Sequence, residues 1–125
     1  MSDQGEFSTL KEFIESDRIS IPSNTEMRTK SGKTISVETI SLNDVIKDYF
    51  GSVCPSYISI DTEGSEYEIL QSFDFENFKP KLFTIEHNHT PVESKIDELL
   101  IINGYVRIFR NLTAFDGWYV QLENL

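Results

Sequence analysis

Short apolar runs alternate with amphipathic helical patterns along this chain, and this alternation restricts the fold more than any other feature of the sequence. The apolar runs span residues 34–40, 57–60, 81–85, 105–109 and 118–122, and helical patterns follow the first three of them, at 42–50, 65–73 and 90–103. Crossover helices make the strands they connect parallel, whereas the last two runs are close enough to pair antiparallel. The sequence therefore predicts an α/β sheet whose last strand is antiparallel.

Polar residues that can cap a helix stand where each helix is predicted to begin. Ser41 precedes the first helix, Ser65 the second and Thr90 the third. A glutamate lies three residues after Ser65 and after Thr90, at Glu68 and Glu93. This spacing is typical of a capping box, in which the two side chains bond each other's backbone N–H groups.

Length and charge limit the classes of protein that the sequence allows. The chain has 125 residues, the size of one domain, and we expect residues 1–33 to be irregular with a short helix and residues 34–125 to form the regular domain. A formal net charge of -10 disfavours binding to nucleic acid and to anionic membranes. Cys54, the single cysteine, cannot form an internal disulfide, and we expect it to be a small buried or half-buried side chain. With no signal-peptide core at residues 1–6, the sequence predicts a cytoplasmic protein.

Two polar segments follow neighbouring predicted strands: Asp61, Thr62 and Glu63 come first, and Glu86, His87, Asn88 and His89 come second. In open α/β sheets, ligands bind beyond the carboxyl ends of the strands, so these segments are the candidate site. Paired carboxylates suit a base or a metal site. The alternative is that Glu63 complements a helix dipole and Asp61 caps the loop.

The two histidines can be interpreted as metal ligands or as members of a polar loop. His87 and His89 are two residues apart and can share one face of a strand, so with nearby carboxylates they could bind a divalent metal. The simpler interpretation is a polar loop whose histidines satisfy backbone groups, and we favour it because this pattern alone is a weak signal. We therefore predict no metal.

The end of the chain carries a second group of aromatic and turn-forming residues. Asp116 and Gly117 are most simply interpreted as a turn between the last two strands. Four aromatic side chains form a cluster that we interpret as packing and not as a ligand cage: Phe109, Phe115, Trp118 and Tyr119.

Five segments resemble methyltransferases of the FkbM family. Residues 57–70 (YISIDTEGSEYEIL) closely resemble its central motif, in which a strand ends in Asp-x-Glu-Gly and a helix follows. Residues 83–88 (FTIEHN) are similar to the family's next strand. Residues 37–42, 103–105 and 116–120 look like its upstream segment and its ending, so the resemblance covers residues 35–122.

The resemblance implies a Rossmann-like sheet of seven strands in the order 3-2-1-4-5-7-6, of which this chain supplies strands four to seven. It implies an S-adenosylmethionine-dependent O-methyltransferase acting on a hydroxyl of a sugar, glycan or secondary metabolite. By position, Asp61, Glu63, Glu86 and His87 would be catalytic, and Asn88 and His89 would bind the acceptor. Asp61 and Thr62 would contact the cofactor.

The glycines depart from that family pattern. No two of the six form a Gly-x-Gly pair, so no loop resembles an adenosylmethionine cradle. We therefore expect the chain to be the carboxyl-terminal part of the domain. Two alternatives remain: a non-catalytic half-domain that binds a partner, and a small metal-dependent hydrolase. The expected partners are a small-molecule or glycan acceptor, a second copy of the chain, or a missing amino-terminal half.

Overall fold

The computed structural model describes residues 37–87 and 90–125. Its helices are α1 (Leu42–Phe50), α2 (Glu66–Gln71) and α3 (Val92–Ile102), and its strands are β1 (Tyr57–Ile60), β2 (Leu82–Glu86), β3 (Tyr105–Ile108) and β4 (Asp116–Gln121). A short 3₁₀ helix, Leu122–Asn124, follows β4. The expectation for residues 1–33 lies outside the described residues.

The four strands form one mixed sheet in the order β1-β2-β4-β3. β1 and β2 are parallel, and β4 pairs antiparallel with both β2 and β3. Helix α2 connects the two parallel strands, as a crossover must. The predicted α/β sheet with an antiparallel last strand is therefore confirmed for the described residues.

The predicted strand at residues 34–40 is wrong for the part that the structure describes. Residues 37–40 have no regular structure, and Val37 and Ile40 are more than half exposed. Alternation of polar and apolar residues produces a strand only when a partner strand and a buried face are available. Residues 34–36 lie outside the described part of the chain.

The core lies between one face of the sheet and the helices. The residues that alternate onto this face include Ile58 and Ile60 of β1, Phe83 and Ile85 of β2, and Tyr119 of β4, all buried. Helices supply the other side through Ile46, Leu70, Ile96 and Leu100. Burying a large apolar side chain is worth about 1.5–3 kcal/mol, so this face fixes the register of the strands.

Helix α1 begins and ends as the sequence predicts. The Asp44 N–H donates to the Ser41 hydroxyl at 3.1 Å, and Gly51 adopts the left-handed conformation (φ 58°) that glycine tolerates after a helix. Asn43 ties this helix to the end of α2, because its amide donates to the Ser72 carbonyl at 2.8 Å and its carbonyl accepts from the Asp74 N–H at 2.9 Å. Tyr49, in the last turn of α1, is exposed.

The opposite face of β1 and β2 carries a chain of hydroxyl groups. Tyr57 and Thr84 hydroxyl oxygens lie 2.8 Å apart, and Thr84 donates to Ser59 at 2.9 Å. Among the described strands, β1 pairs only with β2 and forms one end of the sheet. Its exposed face combines Tyr57 with the polar Ser59, so it is less apolar than a strand covered on both sides.

None of the described helices is both long enough and apolar enough to cross a membrane.

Candidate functional site

Acidic residues lie side by side where β1 and β2 end. Ile60 pairs with Ile85, so Asp61 and Glu86 are the next residues on two parallel strands. Glu86 in turn pairs with Asp116, the first residue of antiparallel β4. Neighbouring strands are about 5 Å apart, so three carboxylates from three strands mark this edge of the sheet.

Glu66 organises the loop that follows β1. Its buried carboxylate accepts the Thr62 N–H at 2.7 Å, the Thr62 hydroxyl at 2.9 Å and the Gly64 N–H at 3.1 Å. The chain reverses above it through left-handed conformations at Glu63 (φ 59°) and Gly64 (φ 120°). A non-glycine residue in this region is uncommon and is maintained only where its surroundings require it.

The predicted capping box between Ser65 and Glu68 is therefore wrong. Ser65 makes no side-chain cap, and its hydroxyl donates instead to the Thr62 hydroxyl at 2.8 Å. Glu68 is exposed, whereas Glu66 is buried. A buried carboxylate close to three donors satisfies more of the loop's polar groups than the capping box would.

This loop geometry determines what the predicted site residues can offer. Asp61 is exposed, and its carboxylate accepts no hydrogen bond from another described residue. Thr62 uses both its N–H and its hydroxyl within the loop. Of these two residues, only Asp61 presents an uncommitted side chain at the strand end.

His87, directly after β2, is buried beneath the same edge. Its Nε2 lies 3.0 Å from Nη2 of Arg107, and its Nδ1 lies 3.7 Å from a Glu93 carboxylate oxygen. Its backbone N–H donates to the Phe115 carbonyl at 2.9 Å, and its carbonyl accepts the Thr90 hydroxyl at 2.8 Å. The ring is thus directed towards other protein groups.

Arg107 on β3 is the centre of an ionic cluster that reaches α3 and β4. Its Nη1 donates to Glu93 at 2.6 Å and to Asp97 at 3.2 Å. Asp97 also accepts from the Tyr119 hydroxyl at 2.6 Å and from Arg110 at 2.7 Å. The Arg107 side chain is only 4% exposed, whereas that of Arg110 is 55% exposed. Buried charge of this kind persists only when it is paired.

Glu93 belongs to this cluster and not to the predicted capping box with Thr90. The capping residue of α3 is Pro91, and no side chain caps the helix. The Thr90 hydroxyl bonds the His87 carbonyl, and the Glu93 carboxylate bonds Arg107. The helix itself begins at Val92, within two residues of the prediction, because proline suits a first turn.

The cluster shifts the pKa of its members. Burial raises the pKa of Glu93, but the hydrogen bond from Arg107 and the positive charge nearby together lower it more and leave that pKa below its usual value. At Asp97, burial also raises the pKa, but the hydrogen bonds from Tyr119 and Arg110 and the charges of Arg107 and Arg110 together lower it more. Burial and the bond to Asp97 raise the pKa of the Tyr119 hydroxyl, which stays protonated. Both carboxylates are therefore charged at neutral pH.

Gly117 allows Tyr119 to reach this cluster. A Cβ at position 117 would lie 2.5 Å from the Tyr119 ring, closer than a real side chain can approach. Asp116 and Gly117 belong to strand β4, so their interpretation as a turn is wrong. Glycine is needed there because a neighbouring ring crosses close to the backbone.

The aromatic residues near the chain end divide into two groups. Tyr119 is fully buried, as predicted. Phe109 and Phe115 are more than half exposed, and Phe109 forms an edge contact with Trp118, with the ring centroids 6.1 Å apart. Phe109 has a left-handed backbone (φ 54°), which turns the chain out of β3 before its side chain can enter the core.

Cys54 is partly buried against the core, as predicted. Burial raises the pKa of its thiol. A thiol of this kind stays protonated at neutral pH and is a poor nucleophile.

The structure brings Asp61, Glu86 and His87 to one end of the sheet, with Glu63 in the adjoining loop. Asn88 and His89 lie outside the described residues. No group of three metal-binding side chains occurs within residues 37–87 and 90–125. The catalytic, acceptor and cofactor assignments made from the sequence remain predictions.

Sequence reasoning missed five residues that shape this site: Glu66, Asp97, Arg107, Asp116 and Tyr119. A signal existed for one of them, because Arg107 is a charged residue within an apolar strand pattern and needs a buried partner. The others depend on contacts between elements, which local spacing does not reveal.

The fold and the site define an α/β domain of the open-sheet class, with acidic residues at the carboxyl ends of its parallel strands. A family model described as the Methyltransferase FkbM domain matches residues 2–115. The match covers most of the chain, so this protein belongs to the FkbM methyltransferase family. Comparison with curated proteins and with solved structures gave no match.

Proposed function

We propose that this chain provides the acceptor side of an S-adenosylmethionine-dependent O-methyltransferase, which transfers a methyl group to a hydroxyl of a sugar, glycan or secondary metabolite. The observation that carries the proposal is the sheet order β1-β2-β4-β3, with β4 alone antiparallel. Strands four, five, seven and six of the family sheet follow this same order. The sequence motif Asp-x-Glu-Gly then falls at the end of strand four.

The local charge suits the methyl donor. Adenosylmethionine supplies a methyl group on a positively charged sulfonium, which is a good leaving group. Asp61, exposed at the end of β1, would hold the cationic side of the donor, and Glu86 and Asp116 add negative charge at the same edge. Thr62 would contact the donor through its backbone carbonyl, since its hydroxyl and N–H both bond Glu66.

The protein's chemical task is to align the acceptor and remove one proton. A carboxylate at this edge, from Glu63 or Glu86, takes the hydroxyl proton as the oxygen gains the methyl group. Holding the hydroxyl in line with the donor supplies much of the rate, because it replaces a bimolecular encounter by a fixed geometry. Asn88 and His89, the second and third residues after β2, are proposed to contact the acceptor.

The donor-side glycine loop has no counterpart in this sequence, so the test must supply it. The amino-terminal half of a family member, carrying strands one to three, is joined ahead of the chain. The product is incubated with methyl-labelled adenosylmethionine and a panel of sugars, glycans and hydroxylated metabolites. We expect label in a hydroxyl-bearing acceptor. A folded, donor-binding product that labels none of these acceptors contradicts the proposal.

The second candidate function is a non-catalytic half-domain that binds a partner. Two observations favour it: the sequence has no Gly-x-Gly pair, and β1 is an end strand of the described sheet. Strands with an unpaired edge recruit other strands. Binding of a separately expressed donor-binding half, without methyl transfer, would favour this candidate over the enzyme.

A further inference from the structure

Within the described part of the chain, the side chains of Arg107 and Glu93 lie next to the His87 ring, and the His87 backbone bonds Phe115 and Thr90. Arg107 Nη2 lies 3.0 Å from its Nε2, and Glu93 lies 3.7 Å from its Nδ1. Its N–H donates to Phe115 at 2.9 Å, and its carbonyl accepts the Thr90 N–H at 2.8 Å. The His87 side chain is 1% exposed, so water does not compete for the ring.

The chemistry of the two partners fixes where the ring proton lies. A guanidinium has only donors and stays protonated in proteins, so the nitrogen that faces Arg107 must accept. Nε2 therefore carries the lone pair, and the single proton lies on Nδ1, on the side of the Glu93 carboxylate. A proton on Nε2 would place two N–H groups against each other across 3.0 Å.

We propose that Arg107 is a positioning residue that holds His87 as the neutral Nδ1–H tautomer and thereby fixes the end of β2 at the acceptor side of the site. The use of this arrangement in methyl transfer depends on the proposed function. His87 then anchors the strand end and does not take the acceptor proton, since Arg107 already occupies its lone pair.

The cluster around Arg107 suits this role. Glu93 and Asp97 both bond Nη1, which leaves Nη2 directed at the imidazole. Arg110 shares Asp97 with Arg107 but is mostly exposed, and none of its hydrogen bonds within the described part of the chain involves His87. Arg110 is therefore a matched control: it has the same chemistry and the same carboxylate partner, without the contact to the ring.

The tautomer is measured directly by nitrogen NMR. The 125-residue chain is labelled with nitrogen-15, and long-range proton–nitrogen spectra at neutral pH report which imidazole nitrogens carry protons. The sequence has two histidines, so His89→Gln assigns the remaining signals to His87. We expect Nε2 of the wild-type ring at the unprotonated position. Arg107→Met moves this signal to the protonated position, whereas Arg110→Met and Glu93→Gln leave it unchanged.

Amide hydrogen exchange tests the positioning consequence. The Thr90 and His87 N–H groups both make backbone hydrogen bonds, and we expect their exchange to accelerate in Arg107→Met but not in Arg110→Met. Equal acceleration in both variants would overturn the proposal, and so would an acceleration in Arg107→Met that is no greater at these two N–H groups than at the hydrogen-bonded N–H groups of α1, because either result would indicate a general loosening.

A protonated Nε2 in the wild-type chain overturns the proposal at once. If Arg107→Met does not fold, the wild-type and Glu93→Gln spectra still test the proposal, because the proposal requires an unprotonated Nε2 of His87 in both. A failed transfer assay would contradict the proposed function but would not change these spectra. Failure of the proposed function and failure of the tautomer proposal are therefore distinguishable.

Discussion

Arg107 and Arg110 are three residues apart and share Asp97, yet they lie in opposite environments. Arg107 is buried among two carboxylates and an imidazole, and Arg110 is exposed. Removing one member of a buried ion pair leaves its partners charged and unpaired, whereas an exposed pair contributes little because water screens it. The effect of each arginine on stability should therefore differ sharply.

Arg107→Met is expected to lower the free energy of unfolding by about 3–5 kcal/mol, because Glu93 and Asp97 would stay charged in a buried cluster. Arg110→Met, the matched control, should cost no more than about 1 kcal/mol. Denaturant unfolding of the two variants measures both values. Equal losses would show that the cluster is not specifically centred on Arg107.

Acid should weaken the same cluster. The folded pKa values of Glu93 and Asp97 are below their usual values, so their contribution to stability is complete above about pH 5 and is lost as the pH falls through the folded values. Unfolding measured between neutral and acid pH should show stability declining below about pH 5. Asp97→Asn should flatten this decline, since one of the titrating groups is gone. An unchanged slope in Asp97→Asn would contradict the assignment.

At the scale of elements, the loop and helix after β1 depend on Glu66 and not on Glu68. Glu66→Gln should destabilise the chain by about 1–3 kcal/mol, because a neutral amide cannot replace a carboxylate that accepts from Thr62 and Gly64. Glu68→Gln, two residues further along the same helix and exposed, is the control and should be nearly neutral. Thermal unfolding compares them. A larger loss of stability in Glu68→Gln than in Glu66→Gln would support the capping box that the residue spacing predicts.

The elements that could be predicted were those with a local pattern. β1, β2 and α3 combine apolar periodicity with clear boundaries, and Ser41 caps α1 as its position indicates. The strand predicted at 34–40 failed at residues 37–40 because alternation does not supply a partner strand. The start of β4 was missed because Asp116 and Gly117 resemble a turn, although Gly117 is needed by the Tyr119 ring.

For the site, position along the chain located Asp61 and Glu86 but not the groups that surround them. The parallel order of β1 and β2 brings the two strand ends together, and that order follows from the crossover helix. The contact between Arg107 and His87 joins residues 20 positions apart in the chain. It depends on how β3 packs near the end of β2, and no local sequence pattern predicts that packing.

At the scale of the whole molecule, the exposed edge of β1 predicts association. Among the described strands β1 has one neighbour, and Tyr57 and Val53 near it are exposed apolar side chains. We expect concentration-dependent self-association, or binding to a partner that carries strands one to three. Sedimentation from micromolar to millimolar concentration measures this. A stable, folded monomer throughout that range would contradict the expectation.

The missing glycine loop gives a second prediction at this scale. The 125-residue chain alone should bind adenosylmethionine weakly or not at all, because no Gly-x-Gly turn is present to approach the donor closely. Calorimetric titration of the donor into the chain measures the affinity. A micromolar affinity would show that this chain holds the donor without such a loop.

The central claim is that the end of β1 is the centre of methyl transfer, and turnover of carboxylate variants in the joined enzyme tests it most directly. Asp61→Asn and Glu63→Gln should each lower turnover by more than about tenfold, because they remove charge where the donor and the acceptor meet. Glu98→Gln, an exposed carboxylate on α3, is the control and should retain wild-type turnover. Near-normal turnover in both the Asp61 and the Glu63 variants would contradict the claim. It would indicate instead that Asp61 caps the loop and that Glu63 complements the helix dipole.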